Sequence, residues 1–128
     1  MIEEVISLEK NFVYALAAVI VVATASLLFF AFAKPAVDPT KLARCLTERG
    51  WTMYGATWCS HCAAQKKAFG DAVQYLDVVE CDEKPFECQA NDIEGTPTWL
   101  NRDGSIKLVG EQSLDTLALE SGCSEAIK

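Results

Sequence analysis

Cys59 and Cys62 are the residues of this chain best equipped for chemistry. Two cysteines separated by two residues can close into a disulfide and reopen, so the pair can trade electrons with thiols or disulfides of another molecule. The flanking residues say how they are held. Trp51-Thr52-Met53-Tyr54 reads as a short buried strand, Gly55-Ala56-Thr57-Trp58 as the turn out of it, and the good helix formers Ala63 to Phe69 as a helix running to about Gly70. Cys59 then opens that helix, where unpaired N–H groups and the helix dipole favour an anion and so populate the nucleophilic thiolate. Cys62 lies one turn further in and is the resolving thiol, placed to attack a mixed disulfide on Cys59.

The elements around this unit alternate in type. A helix over Leu42–Arg49 starts at the Pro39-Thr40 signal and ends at Gly50, and Tyr75–Glu80 reads as a second strand from its aromatic and β-branched content. A short helix over Phe86–Asn91 precedes a strand at Thr98–Leu100, and the turn Asn101-Arg102-Asp103-Gly104 leads into another at Ser105–Val109. Asp-Gly at a tight turn predicts an antiparallel hairpin, whereas strands joined through a helix are parallel. A last helix begun by Ser113 and carrying Leu114, Leu117 and Leu119 ends near Gly122. The order implies an α/β domain with a four-stranded mixed sheet flanked by helices.

Trp58-Cys59-Ser60-His61-Cys62 after a strand, followed later by Gly95-Thr96-Pro97-Thr98-Trp99, resembles the thioredoxin superfamily. More narrowly, Met53 to Cys62, Gln65 to Gly70 and Val79-Glu80-Cys81 are similar to the thioredoxin-like domain fused to bacterial and plant homologues of vitamin K epoxide reductase. The resemblance runs from about Leu42 to Gly122 and implies a thioredoxin fold. It also implies a cis Thr96–Pro97 peptide bond beside the cysteines, where a proline without an N–H leaves nearby backbone free to pair with an extended substrate. The multi-helix quinone-reducing portion of those fusions has no counterpart here, so a regenerating partner of that kind would be a separate protein.

Several neighbours of the pair carry two readings. His61, the only histidine, either stabilises the Cys59 thiolate by hydrogen bond or charge, making the disulfide a stronger oxidant, or is a solvated loop residue. Ser60 departs from the proline of the Cys-Pro-His-Cys motif of DsbA-type proteins, which the segment otherwise resembles. Trp58 either shapes the substrate surface or fills core, and Trp99 reads as core. Met53 stands where many thioredoxins place a buried carboxylate, so proton transfer at Cys62 needs another group.

The chain has 128 residues and six cysteines. Cys81 and Cys88 bracket a segment short enough for a local structural disulfide, with a second redox pair as the alternative. Cys45 in the first helix and Cys123 after the last could pair as well and join the two ends of the domain, a closure worth about 4 kcal/mol in the loop-entropy model if unstrained. A zinc site on Cys59, Cys62, Cys81 and Cys88 would need two short knuckles, and the second spacing is too long. No metal and no dissociable cofactor are expected.

Phe12 to Ala33 is a run of 22 residues without formal charge, long enough to span a bilayer as one helix. A cleavable signal peptide, with Ala31-Phe32-Ala33 as its cleavage site, is the alternative, but the run exceeds an ordinary h-region and Glu3, Glu4 and Glu9 outnumber Lys10 before it. The chain accordingly divides into an N-terminal tail (1–11), an anchor (12–33), a two-proline linker (34–40) and the thioredoxin-like domain (41–128). Lys34, Lys41 and Arg44 after the helix favour a cytoplasmic domain by charge count, yet a whole folded domain translocates largely regardless of charge. Cysteine density points to an oxidising compartment, hence a single pass through the cytoplasmic membrane with the domain on the extracytoplasmic side. A net charge of −7 with acidic residues spread along the domain argues against nucleic acid.

The expectation is therefore a membrane-anchored thiol-disulfide oxidoreductase that donates disulfides to exported proteins and is reoxidised by a vitamin K epoxide reductase-like membrane quinone reductase. A tethered reductase or isomerase uses the same two cysteines in the other direction, and a non-catalytic interaction module would not depend on them.

Overall fold

The computed structural model describes residues 1–32 and 36–127, with backbone only for residues 30–32. It divides into two units, Met1–Lys34 and Pro35–Lys128.

The first unit is one helix, α1 (Ile2–Phe32). Residues 2–11, expected as a tail, continue the helix, because nothing in that stretch breaks it: it holds neither proline nor glycine. Over Ile2–Phe29 it is long and apolar enough to cross a membrane, and none of that span is buried within the protein. The uncharged stretch alone would reach about 33 Å as a helix, close to the roughly 30 Å of a bilayer's hydrocarbon core. The end of the expected anchor at Ala33, and with it the last residue of the candidate cleavage site, lies outside the described residues, as do the linker residues Lys34 and Pro35.

In the second unit α2 (Pro39–Glu48) starts earlier than the Leu42 expected, so the linker's last two residues are helical. The reason is a cap: Asp38 Oδ1 accepts from the backbone N–H of Thr40 (3.0 Å) and Lys41 (3.2 Å), and proline fits the first turn. The strands are β1 (Thr52–Gly55), β2 (Asp77–Glu80), β3 (Thr98–Leu100) and β4 (Lys107–Val109). They form one sheet in the order β2-β1-β3-β4, with β2 parallel to β1 and the other two pairings antiparallel. β2 is shorter than expected at its start, because a 3-10 helix over Gly70–Tyr75 takes up Tyr75 and Leu76 follows it as a bend. The remaining helices are α3 (Ser60–Phe69), α4 (Pro85–Ala90) and α5 (Leu114–Glu120).

Alternation along the strands divides the core. Met53 and Trp99 point into a cluster with Leu42 and Leu46 of α2, Cys62 and Phe69 of α3, and Leu117 of α5. Tyr54, Val79 and Leu100 point the other way, onto Cys88 of α4. A short bridge between Val37 and Ile127, unforeseen from sequence, ties the two ends of the unit together, and Asp38 N–H donates to Ala126 O at 2.8 Å.

Candidate functional site

Cys59 is the N-cap of α3 in extended conformation, and its sulfur accepts from the backbone N–H of Cys62 at 3.2 Å. The backbone carbonyl of Cys59 takes the first helical bond, from Ala63 N–H at 3.1 Å. This fixes the sulfur over the unpaired N–H groups of the first turn, the place where negative charge is favoured. Cys59 and Cys62 are joined as a disulfide. Cys59 is 8% exposed and Cys62 only 1%, so a thiol arriving from solvent meets Cys59 first.

The Thr96–Pro97 bond is cis, and Thr96 O lies 3.6 Å from Cys59 Sγ. Between this loop and the start of α3 runs a cleft of about 610 Å³, lined by Ala56, Trp58, Cys59, Asp82, Glu94 and Thr96 among others. Trp58 is 79% exposed, which makes it surface of the cleft and not core filling, whereas Trp99 is fully buried. Ser60 is exposed on the first turn of α3. His61 is exposed as well, and its Nδ1 lies 3.3 Å from Glu111 Oε2, so in the disulfide state the imidazole faces Glu111 and not Cys59.

The loop carrying Trp58 is pinned from across the sheet. Asp82 accepts from Thr57 N–H at 3.0 Å and from Thr57 Oγ1. The Thr57 hydroxyl and then its backbone N–H hold the Asp82 carboxyl below the ordinary carboxylate value. Beneath the loop, Lys66 of α3 pairs with Glu80 at the end of β2. Gln65, buried in α3, accepts from Gln112 N–H (2.6 Å) and from Trp99 Nε1 (3.3 Å), tying the helix to β3 and to the loop before α5.

The other four cysteines lie away from this helix start. Cys81 is joined to Cys88 at the junction of β2 and α4, and Cys45 of α2 to Cys123 beyond α5, with a sequence separation of 78. The four sulfurs weighed as a zinc set thus belong to two separate disulfides. Reading the sequence missed Asp82, Glu80, Lys66 and Glu111. A signal existed for Glu80 alone: parallel pairing of the two strands sets it opposite Gly55, beside the turn into the cysteine helix.

No protein-family model matches the chain. The thiol-disulfide oxidoreductase LTO1 of Arabidopsis thaliana is 40% identical over 92 residues, which is 65% of this chain; the chain spans about a quarter, 24%, of that relative's length. Among solved structures, a poplar thioredoxin h is 22% identical over 68% of this chain and 87% of its own, with a TM-score of 0.48. Thioredoxin NaTrxh from Nicotiana alata is 21% identical over 61% of this chain and 72% of its own, with a TM-score of 0.45. Mitochondrial thioredoxin 3 from Saccharomyces cerevisiae is 22% identical over 64% of this chain and 85% of its own, with a TM-score of 0.46. Strand order, the mixed pairing and the helix that β1 delivers to the cysteine pair make the globular unit a thioredoxin-like fold.

Proposed function

We propose that the protein is a membrane-anchored thiol-disulfide oxidoreductase whose Cys59–Cys62 disulfide is donated to exported proteins. One observation carries the reading: a disulfide at the first turn of a helix, with one sulfur bordering an open cleft and the other buried behind it. The name of the Arabidopsis relative, a thiol-disulfide oxidoreductase, supports the same chemistry. A substrate thiolate attacks Cys59 Sγ, the Cys59–Cys62 bond breaks, and Cys62 leaves as a thiolate that takes up a proton. A second substrate thiolate attacks the substrate sulfur of the mixed disulfide and expels Cys59 as a thiolate. The substrate has then lost two electrons and the pair has gained them.

The reduced pair passes those electrons to a membrane quinone reductase of the vitamin K epoxide reductase kind, through a disulfide of that partner. α1 is long and apolar enough to cross a membrane, and in this reading it holds the domain at the cytoplasmic membrane on the extracytoplasmic side. No dissociable cofactor takes part, because the disulfide is itself the electron acceptor.

The test is the reduction potential of Cys59–Cys62, measured on the full chain in detergent by equilibration against glutathione with the other disulfides intact. A value of about −120 to −180 mV supports disulfide donation, and a value near about −270 mV assigns the pair to a tethered reductase instead. Absence of reversible titration overturns both.

A further inference from the structure

Glu80 is a half-buried carboxylate, its side chain 16% exposed, with one of its two oxygens unpaired. Lys66 Nζ holds Oε1, while Oε2 is buried and has no hydrogen-bond partner among the described residues. An unsatisfied buried polar atom is costly, and one retained beside a reactive group calls for a role. Its surroundings supply one. A Cβ built on Gly55 would lie 3.2 Å from Glu80 Oε2 and 3.5 Å from Cys62 Sγ, so the oxygen and the sulfur both border the same small space. The Gly55 φ is not in the left-handed region, so its backbone does not require glycine; a side chain there would crowd both atoms. Met53, one pleat back on the same strand, is buried and offers no proton acceptor.

We infer that Glu80, positioned by Lys66, exchanges the proton of Cys62 across the space that Gly55 leaves open. The inference rests on the exchange chemistry proposed above and adds its missing proton step. When a partner disulfide oxidises the pair, the Cys59 thiolate attacks a partner sulfur and expels the other as a thiolate, leaving a mixed disulfide. Cys62 then attacks Cys59 Sγ as its proton passes to the Glu80 carboxylate. The Cys59–partner bond breaks and the partner leaves as a second thiolate, reduced by the two electrons the pair has lost. In the opposite direction the Cys62 thiolate released by a substrate takes the proton back from Glu80. The charged groups about this gap are Lys66 from α3 and, facing Lys66 from beyond β2, Asp82.

The full chain in detergent, reduced at Cys59–Cys62 alone, is mixed with the aromatic disulfide 5,5′-dithiobis(2-nitrobenzoate) in a stopped-flow cell across a range of pH. The first coloured thiolate reports attack by Cys59, and the second reports resolution by Cys62. Glu80→Gln is expected to slow the second phase by about a hundredfold near neutrality, the lower end of what a positioned acid or base contributes, with the first phase unchanged. The deficit should close as pH rises and Cys62 ionises without help. Gly55→Ala should give the same selective loss with both charged groups in place. A second phase unaffected by Glu80→Gln, or both phases slowed alike at every pH, overturns the inference while leaving the exchange reading intact. Absence of the first phase in the unmodified protein overturns the exchange reading and this inference with it.

Discussion

Cys59–Cys62 and Cys45–Cys123 are the same covalent bond in opposite surroundings. Exposure alone barely separates them, since Cys59 is 8% and Cys45 5% exposed. The difference lies in the field around each sulfur and in the path to it. Cys59 caps a ten-residue helix at the edge of a cleft, where backbone N–H groups stabilise a thiolate. Cys45 sits within α2, its partner Cys123 is fully buried, and the Glu125 carboxylate lies 2.9 Å from its sulfur. A neighbouring negative charge opposes a thiolate there. A disulfide becomes a reagent or a staple according to which of these settings it occupies.

The largest expected effect comes from breaking the reactive side of the comparison. Cys59→Ser should abolish disulfide exchange with a reduced, unfolded substrate protein while leaving the thermal unfolding transition in place. Exchange that survives Cys59→Ser would move the chemistry to another disulfide, Cys81–Cys88 first.

Breaking the other side should cost stability and not chemistry. Replacing Cys45 and Cys123 together by alanine is expected to lower unfolding free energy by about 4 kcal/mol, the loop-entropy value for so long a closure, with the Cys59–Cys62 potential unchanged. The same replacement at Cys81 and Cys88, whose separation is 7, should cost less, about 2.5 kcal/mol. Denaturant unfolding compares the two, and a shift in the potential on losing Cys81–Cys88 would show that this bond also takes part in exchange.

A smaller effect sharpens how the reactive loop is held. Because hydrogen bonds from Thr57 lower the Asp82 pKa, the stabilisation they give is present above the ordinary aspartate range and is lost as pH falls through the depressed value. Thr57→Val should therefore reduce the acid sensitivity of unfolding, read as a shallower fall of the denaturation midpoint with pH. The smallest change is expected from Glu111→Gln, which removes the charge facing His61 at the exposed rim. Equilibration against glutathione should detect only a slight shift in potential.

Much of this was legible in the residues. The Cys59–Cys62 spacing, the helix formers behind it, the Asp-Gly hairpin and the alternation of helix and strand are local or periodic features, and the sheet formed with the pairings they imply. α2 starts earlier than its residue pattern predicts because the cap depends on a side chain outside the helix, Asp38, and β2 is shorter because 3-10 structure over Gly70–Tyr75 displaces its start.

The pair and its helix follow from sequence alone, because residues within one turn of each other meet whatever the rest of the chain does. The ties from Thr57 to Asp82 and from His61 to Glu111, and the convergence of Glu80 and Cys62 on Gly55, join residues that lie far apart along the chain. Only strand register and the packing of α3 over the sheet bring them within reach. The tertiary structure thus decided what surrounds each sulfur, and with it which disulfide faces the cleft and which closes the domain.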